Sequence, residues 1–265
     1  MSERTADRLQ PIGVEEAATR IVRELHDLAN PRKAESAQRF FTEPIQALGI
    51  DAPTSRSFAQ RWIRQLKPTW HQRQALALCG LLLQQPPMET RAAGFLILSG
   101  FLDAPSQDMW RQAESWLIQY LDNWALVDGF ASTVLSPLLR CHPESTPKLL
   151  CWTESKCMWV RRAAVVTLVP FARHGEHLDV AYGFVETLLR EKEDLMHKAL
   201  GWLLREAGKA NPARLKRFLL QHRGAIPRTT VRYAVERFPE ADRKRLLEQT
   251  RPESRPTRRS GINRG

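Results

Sequence analysis

The sequence predicts an all-α protein built as a stack of helix pairs, and three observations lead there. Apolar residues recur at spacings of three and four along most of the chain, the signature of helices with one buried face. Short breaks rich in Pro, Asn and Asp divide that pattern into segments of roughly helix length. A charged residue followed by small ones opens an apolar run again and again at a nearly constant step. β-Branched runs and sustained polar–apolar alternation are both missing, so strands find no support.

Taken in order, Ile21, Leu25 and Leu28 mark a first helix, closed before Asn30-Pro31. Asp51-Ala52-Pro53 opens another, and Gln84–Pro87 separates the apolar runs Ala75–Leu83 and Ala92–Leu98. Leu117, Tyr120, Leu121 and Trp124 continue the pattern toward a break at His142-Pro143. Val180, Phe184, Leu188 and Leu189 carry it on, with further breaks at Asn211-Pro212 and Ile226-Pro227. The recurring element reads Ser55-Arg56-Ser57, Thr90-Arg91-Ala92-Ala93, Val127-Asp128-Gly129, Arg161-Arg162-Ala163-Ala164, His197-Lys198-Ala199 and Val231-Arg232-Tyr233. Its charged positions lie 35, 37, 34, 36 and 34 residues apart. Such a step is that of a HEAT-like two-helix repeat, in which each pair buries its apolar face on the next to make a solenoid. The charged residues are then expected to line one concave basic face. Five of the six are Arg or Lys, and Asp128 is the exception.

At 265 residues, 43% of them hydrophobic, the chain has ample material for a core without disulfide or metal staples. Lys and Arg number 40 against 29 acids, a net charge of +11 that favours a polyanionic partner. Residues 14–250 are expected to form a single repeat domain. Residues 1–13 and the basic tail 251–265 are expected to be disordered. The four cysteines, Cys79, Cys141, Cys151 and Cys157, include no CxxC pair and are expected to be buried and reduced. The N-terminus has no apolar core of a secretory signal, and no apolar stretch approaches the ~20 residues of a membrane span. A soluble cytoplasmic protein is therefore expected. Phosphate loops, GxSxG elbows and HExxH are missing, which disfavours nucleotide hydrolysis, esterase and zincin chemistry. His174 and His177 could share a helical turn, but no third metal ligand lies near and Gly175 points to a turn.

The segment Asp122–Asp128 stands out. Asp122 is placed to cap a helix on which Trp124 and Asp128, four apart, share a face. An indole beside a carboxylate suits recognition of a cation. On spacing alone, Trp124 reads as a core residue and Asp128 as a solvated or capped acid. Trp62, Trp116, Trp152 and Trp159 sit among apolar helical residues and read as packing.

Four stretches resemble the DNA alkylation repair, or AlkD-like, glycosylases. They are Asn30-Pro31-Arg32-Lys33-Ala34-Glu35 with Leu48-Gly49-Ile50; Trp124-Ala125-Leu126-Val127-Asp128; Trp159-Val160-Arg161-Arg162-Ala163-Ala164; and Lys198 through Glu206 with Lys209 and Asn211-Pro212. They occur in order over about residues 20 to 245. The resemblance implies excision of positively charged N3- and N7-alkylated purines from duplex DNA, without metal or organic cofactor. A monomer, held at the nucleoid through DNA, is expected, since a capped solenoid with two basic ends gives no sign of a dimer. The resemblance also implies Asp128 as the catalytic acid, Trp124 and Trp202 as aromatic walls, and Arg162 as a phosphate ligand. Phe40 falls where the family commonly has a tyrosine near DNA, and lacks its hydroxyl. Asn123 stands where some members carry a second aromatic residue. On the repeat argument Arg91, Lys198, Arg205 and Arg232 are further phosphate candidates. A HEAT scaffold that binds nucleic acid or protein without catalysis is the alternative, since the basic row and tail fit both.

Overall fold

A computed structural model describes residues 12–251; the expected disorder of the first residues and of the basic tail lies largely outside that span. Within it the chain is helical, with no strand among the described residues. It divides into two compact units, one ending at Thr167 and the other beginning at Leu168.

The first unit holds α1 (Val14–Asp27), α2 (Pro31–Ala37), α3 (Ala52–Leu66), α4 (Gln72–Leu83), α5 (Met88–Leu98) and α6 (Met109–Gln119). It continues with α7 (Trp124–Phe130), α8 (Ser136–Cys141), α9 (Thr146–Trp152) and α10 (Met158–Thr167). The predicted Pro-containing breaks become helix starts. Asn30 accepts from the Lys33 amide ahead of Pro31, and Asp51 accepts from the Thr54 amide ahead of Pro53. Each supplies an acceptor to an otherwise unpaired first-turn N–H, beside a proline whose missing N–H costs nothing there. α4 packs on α5 as a hairpin, and the second helices stack on one another: α3 on α5, α5 on α7, α7 on α10. Trp62, Trp110, Trp116 and Trp152 are buried in this unit, whereas Trp159 is only half-buried.

The second unit holds α11 (Val169–Arg173), α12 (Leu178–Thr187), α13 (Asp194–Ala210), α14 (Pro212–Gln221), α15 (Arg228–Ala234) and α16 (Glu240–Gln249). Its centre is α13 on α15. Gly201 permits that approach, since a Cβ there would meet the Cβ of Tyr233 at 2.4 Å and the carbonyl of Thr230 at 2.8 Å. Asn211 caps α14 by accepting from the Arg214 amide.

The cysteine expectation needs correction, whereas the turn expected at Gly175 is present. Cys79 is buried, and burial pushes its thiol pKa up, but Cys141 and Cys151 are exposed and Cys157 is half-buried. His174 and His177 flank a turn in which Gly175 and His177 both take positive φ, not a helical face. No group of three metal-ligating side chains occurs among the described residues. None of the helices described is long and apolar enough to cross a membrane.

Candidate active site

The repeat acquires a sharper register once helix starts are known. Arg56, Asp128, Arg162, Lys198 and Arg232 are each the fifth residue of their helix. Arg91 is the fourth residue of α5, and the fifth is Ala92. One residue of offset is a rotation of about 100° around a helix, and Arg91 accordingly turns away from the row. Its guanidinium donates to the carbonyls of Gln85, Pro86 and Tyr120 and pairs with Asp122 at 2.8 Å. Arg91 is therefore a tie between helix ends, and its expected role as a phosphate ligand is withdrawn. Arg161, fourth in α10, does the same with the carbonyls of Ser155 and Lys156.

Asp128 and Arg162 occupy equivalent positions in successive repeats, and α7 packing on α10 brings them together. The Arg162 guanidinium donates to both carboxylate oxygens, Nε to Oδ1 at 2.8 Å and Nη2 to Oδ2 at 2.7 Å. The Asp128 and Arg162 side chains are 15% and 5% exposed. Burial pushes the Asp128 pKa up from its ordinary value, and the hydrogen bonds and charge of Arg162 oppose that rise. Arg162 was expected to hold a phosphate. Its guanidinium instead grips the carboxylate and is nearly closed to solvent, so that assignment is replaced by one of orienting Asp128.

α7 is held at both ends. Asn123, not Asp122, is its N-cap and accepts from the Leu126 amide at 3.1 Å. Asp122 is committed to Arg91. Beyond Phe130 the helix widens through a π-turn (Ala131–Leu135) before α8. Pro137 supplies the cause: it has no N–H for the carbonyl of residue 133 and its ring crowds that turn. Ser136 Oγ bridges the carbonyls of Ala131 and Thr167, fastening the widened turn to the end of α10.

Trp124, first residue of α7, lies one turn from Asp128. Its indole N–H donates to the Phe40 carbonyl at 3.2 Å, and Phe41 stacks on its ring at 5.4 Å between centroids, 19° from parallel. The resemblance pointed to Phe40, yet the Phe40 ring is 61% exposed with Arg39 over its face. Phe41 was not foreseen, because adjacent residues in an irregular segment are indistinguishable by periodicity.

Glu89 was not foreseen either. This buried carboxylate accepts from the amides of Leu48, Gly49 and Ile50 at 2.8, 2.8 and 3.2 Å. It pins the segment after Phe41 against α5. Gly49 is required there: its φ is +77°, and a Cβ would lie 2.2 Å from the Asn30 carbonyl oxygen. The pinned segment and the second helices enclose a groove of about 650 Å³. Phe40, Phe41, Arg56, Ala92 and Phe95 line it, with Ala125 and Gly129, which bracket Asp128 on α7.

The remaining candidates lie in the second unit. Trp202 is half-buried on α13. Lys198 pairs with Asp194 at 2.8 Å. Arg205 pairs with Glu236 and with the buried Glu206, which also holds Arg173 and Lys209. Arg232 is exposed, with a single 3.4 Å hydrogen bond to Thr229 Oγ1.

Residues 21–238 match the family model described as DNA alkylation repair enzyme. A solved structure described as a predicted DNA alkylation repair enzyme from Enterococcus faecalis superposes with a TM-score of 0.71 at 16% identity. The superposition covers 80% of this chain and 97% of that one. At such identity the likeness is one of fold. No curated protein matches the sequence. The family match spans most of the chain, and the chain belongs to the DNA alkylation repair enzyme family.

Proposed function

We propose that this member of the DNA alkylation repair family is a monofunctional DNA glycosylase, removing positively charged N3- and N7-alkylated purines from duplex DNA at the start of base excision repair. One observation supports the reading best. Asp128 is a part-buried carboxylate, oriented by two hydrogen bonds from Arg162, one helical turn from the Trp124 indole. The enzyme needs no metal or organic cofactor, and it acts as a monomer on duplex DNA.

The chemistry asks little more. An N-alkylated purine is cationic and already a good leaving group. As the C1′–N bond breaks, its electron pair goes to the purine, which departs neutral, and the sugar becomes an oxocarbenium ion. Asp128 opposes that positive charge in a site of low polarity, where a fixed carboxylate acts more strongly than in water. Water then adds to C1′ and gives its proton to Asp128, leaving an abasic sugar. Trp124 presents a ring face to the cation and keeps bulk water away. Arg162 is a positioning residue, holding both oxygens of Asp128 until substrate arrives. Trp202 is assigned a second aromatic wall, and Phe40, Lys198, Arg205 and Arg232 DNA contacts, on the resemblance and the repeat argument.

A second reading is a DNA-binding scaffold without catalysis. The closed Asp128–Arg162 pair favours it, since a salt bridge between adjacent repeats stabilises a stack with no chemistry at all. Release of methylpurine from methylated duplex, wild type beside Asp128→Asn, separates the two. The expected result is excision by the wild type and a drop on the order of a thousandfold in the variant. Melting temperature and duplex affinity measured alongside exclude a folding defect. Equal release by both proteins would remove Asp128 from the mechanism, and no release by either would leave the scaffold.

A further inference from the structure

Near its end the second unit carries arginines with no carboxylate of the described residues beside them. Arg228, the first residue of α15, lays its guanidinium across the end of α16, donating to the Leu247 carbonyl at 2.8 Å and Thr250 Oγ1 at 3.1 Å. Arg232 stands one turn along the same helix, exposed. Arg251 directly follows Thr250, also exposed. Thus one arginine is fixed between α15 and α16, a second is i+4 from it, and a third adjoins the residue it grips.

No carboxylate of the described residues lies within 4.0 Å of any of the three. Four other arginines of this unit are paired: Arg173 with Glu206, Arg205 with Glu236, Arg214 with Asp179, Arg245 with Asp242. Like charges at i, i+4 on a helix destabilise it. Burial, then the charges of Arg251 and Arg232, hold the pKa of Arg228 below its ordinary value. The fold keeps this repulsion where α15 meets the end of α16, and a bound anion would relieve it. Guanidinium forks match phosphate oxygens in geometry and charge. Beyond Arg251 the sequence carries four more arginines, Arg255, Arg258, Arg259 and Arg264, against one acid, Glu253. That continuation suits an extended polyanion better than a single phosphate ion.

We infer that Arg228, Arg232 and Arg251 form a clamp for the phosphodiester backbone of a nucleic acid, with Arg228 as the fixed anchor. The choice of nucleic acid among polyanions rests on the repair-enzyme reading above; the anion site itself does not.

The test is binding of undamaged duplex DNA by the full chain across a salt series. Three proteins are compared: wild type, Arg232→Gln/Arg251→Gln, and a control Arg61→Gln/Lys67→Gln of equal net charge. The control removes cations already paired with Glu24 and Asp103. Each phosphate left unneutralised should make the slope of log affinity against log salt about 0.9 less negative, so the cluster variant should be shallower by nearly two. The control should keep the wild-type slope. The cluster variant should melt no lower than wild type, because repulsion has been removed. An unchanged slope, or equal changes in the two double variants, would overturn the clamp. Tighter binding of phosphatidylserine vesicles than of duplex would overturn its assignment to nucleic acid. Salt-sensitive duplex binding with no excision by wild type would sink the glycosylase reading while leaving the clamp standing.

Discussion

The two units put the same repeat position to different uses. In the first, the fifth residues run Arg56, Ala92, Asp128 and Arg162, and the last two close into a shielded ion pair. In the second they are Lys198, half-buried and paired with Asp194, and Arg232, exposed and with no carboxylate of the described residues beside it. Charge follows the same division. Residues 1–167 carry 19 Lys and Arg against 17 acids, whereas residues 168–265 carry 21 against 12. A repeat supplies equivalent positions, and burial decides what each can do. Where the position is shielded, a charge must be matched and becomes a fixed, oriented group. Where it is open, a cation can remain unmatched and meet a mobile anion.

The strongest way to break this contrast is to unpair each row. Arg162→Gln strands Asp128 at 15% exposure and should cost roughly 3 kcal/mol of stability, toward the low end for a broken buried pair. Lys198→Gln, at an exposed pair, should cost no more than about 0.5 kcal/mol. Comparable losses in thermal melts would refute the distinction. The same pair of variants carries a pH signature. The proposed mechanism requires ionised Asp128, whose pKa is raised by burial against the pull of Arg162. Activity should therefore fall, as pH is lowered, at a higher pH than an ordinary aspartate would give. Arg162→Gln should move that limb higher still, and Lys198→Gln should leave it in place. For stability the sign runs the other way: a raised folded pKa makes ionisation oppose folding, so this contribution is lost as pH rises through the folded value.

A smaller effect separates two neighbouring aromatic residues. Phe41→Ala removes the stack on Trp124, worth about 0.5–1.5 kcal/mol, and should slow excision at saturating DNA. Phe40→Ala should leave the melting temperature unchanged and weaken duplex binding. The opposite order would return the role to Phe40. The mildest comparison uses the caps. Asn123→Ala and Asn211→Ala should each cost about 1 kcal/mol in melting. Only the first, which frays the helix carrying Asp128, should also lower the excision rate.

Much of this was legible in the residues. Asn30, Asp51 and Asn211 announce helix starts because a cap is a local interaction, completed within three residues. Asp128 and Arg162 stand out through the repeat, although the repeat alone did not say that they touch. Arg91 shows the limit: a step of 35 in place of 36 looks like drift in a sequence, yet it turns a side chain by about 100°. Glu89 gave no signal, because its partners are backbone amides some forty residues away.

By itself, then, the sequence determined the helical segments, the polar and proline breaks between them, the repeat step and the acid that interrupts a basic row, while missing by one residue the cap of α7. These depend on neighbours within a turn or two, where spacing is geometry. The tertiary structure alone decided which member of each helix faces its neighbour: Asp128 on Arg162, Phe41 in place of Phe40 on Trp124, Ala92 in place of Arg91 in the groove. Those choices depend on how one helix is rotated against the next, and that rotation is set by the packing of whole faces, which no local pattern contains.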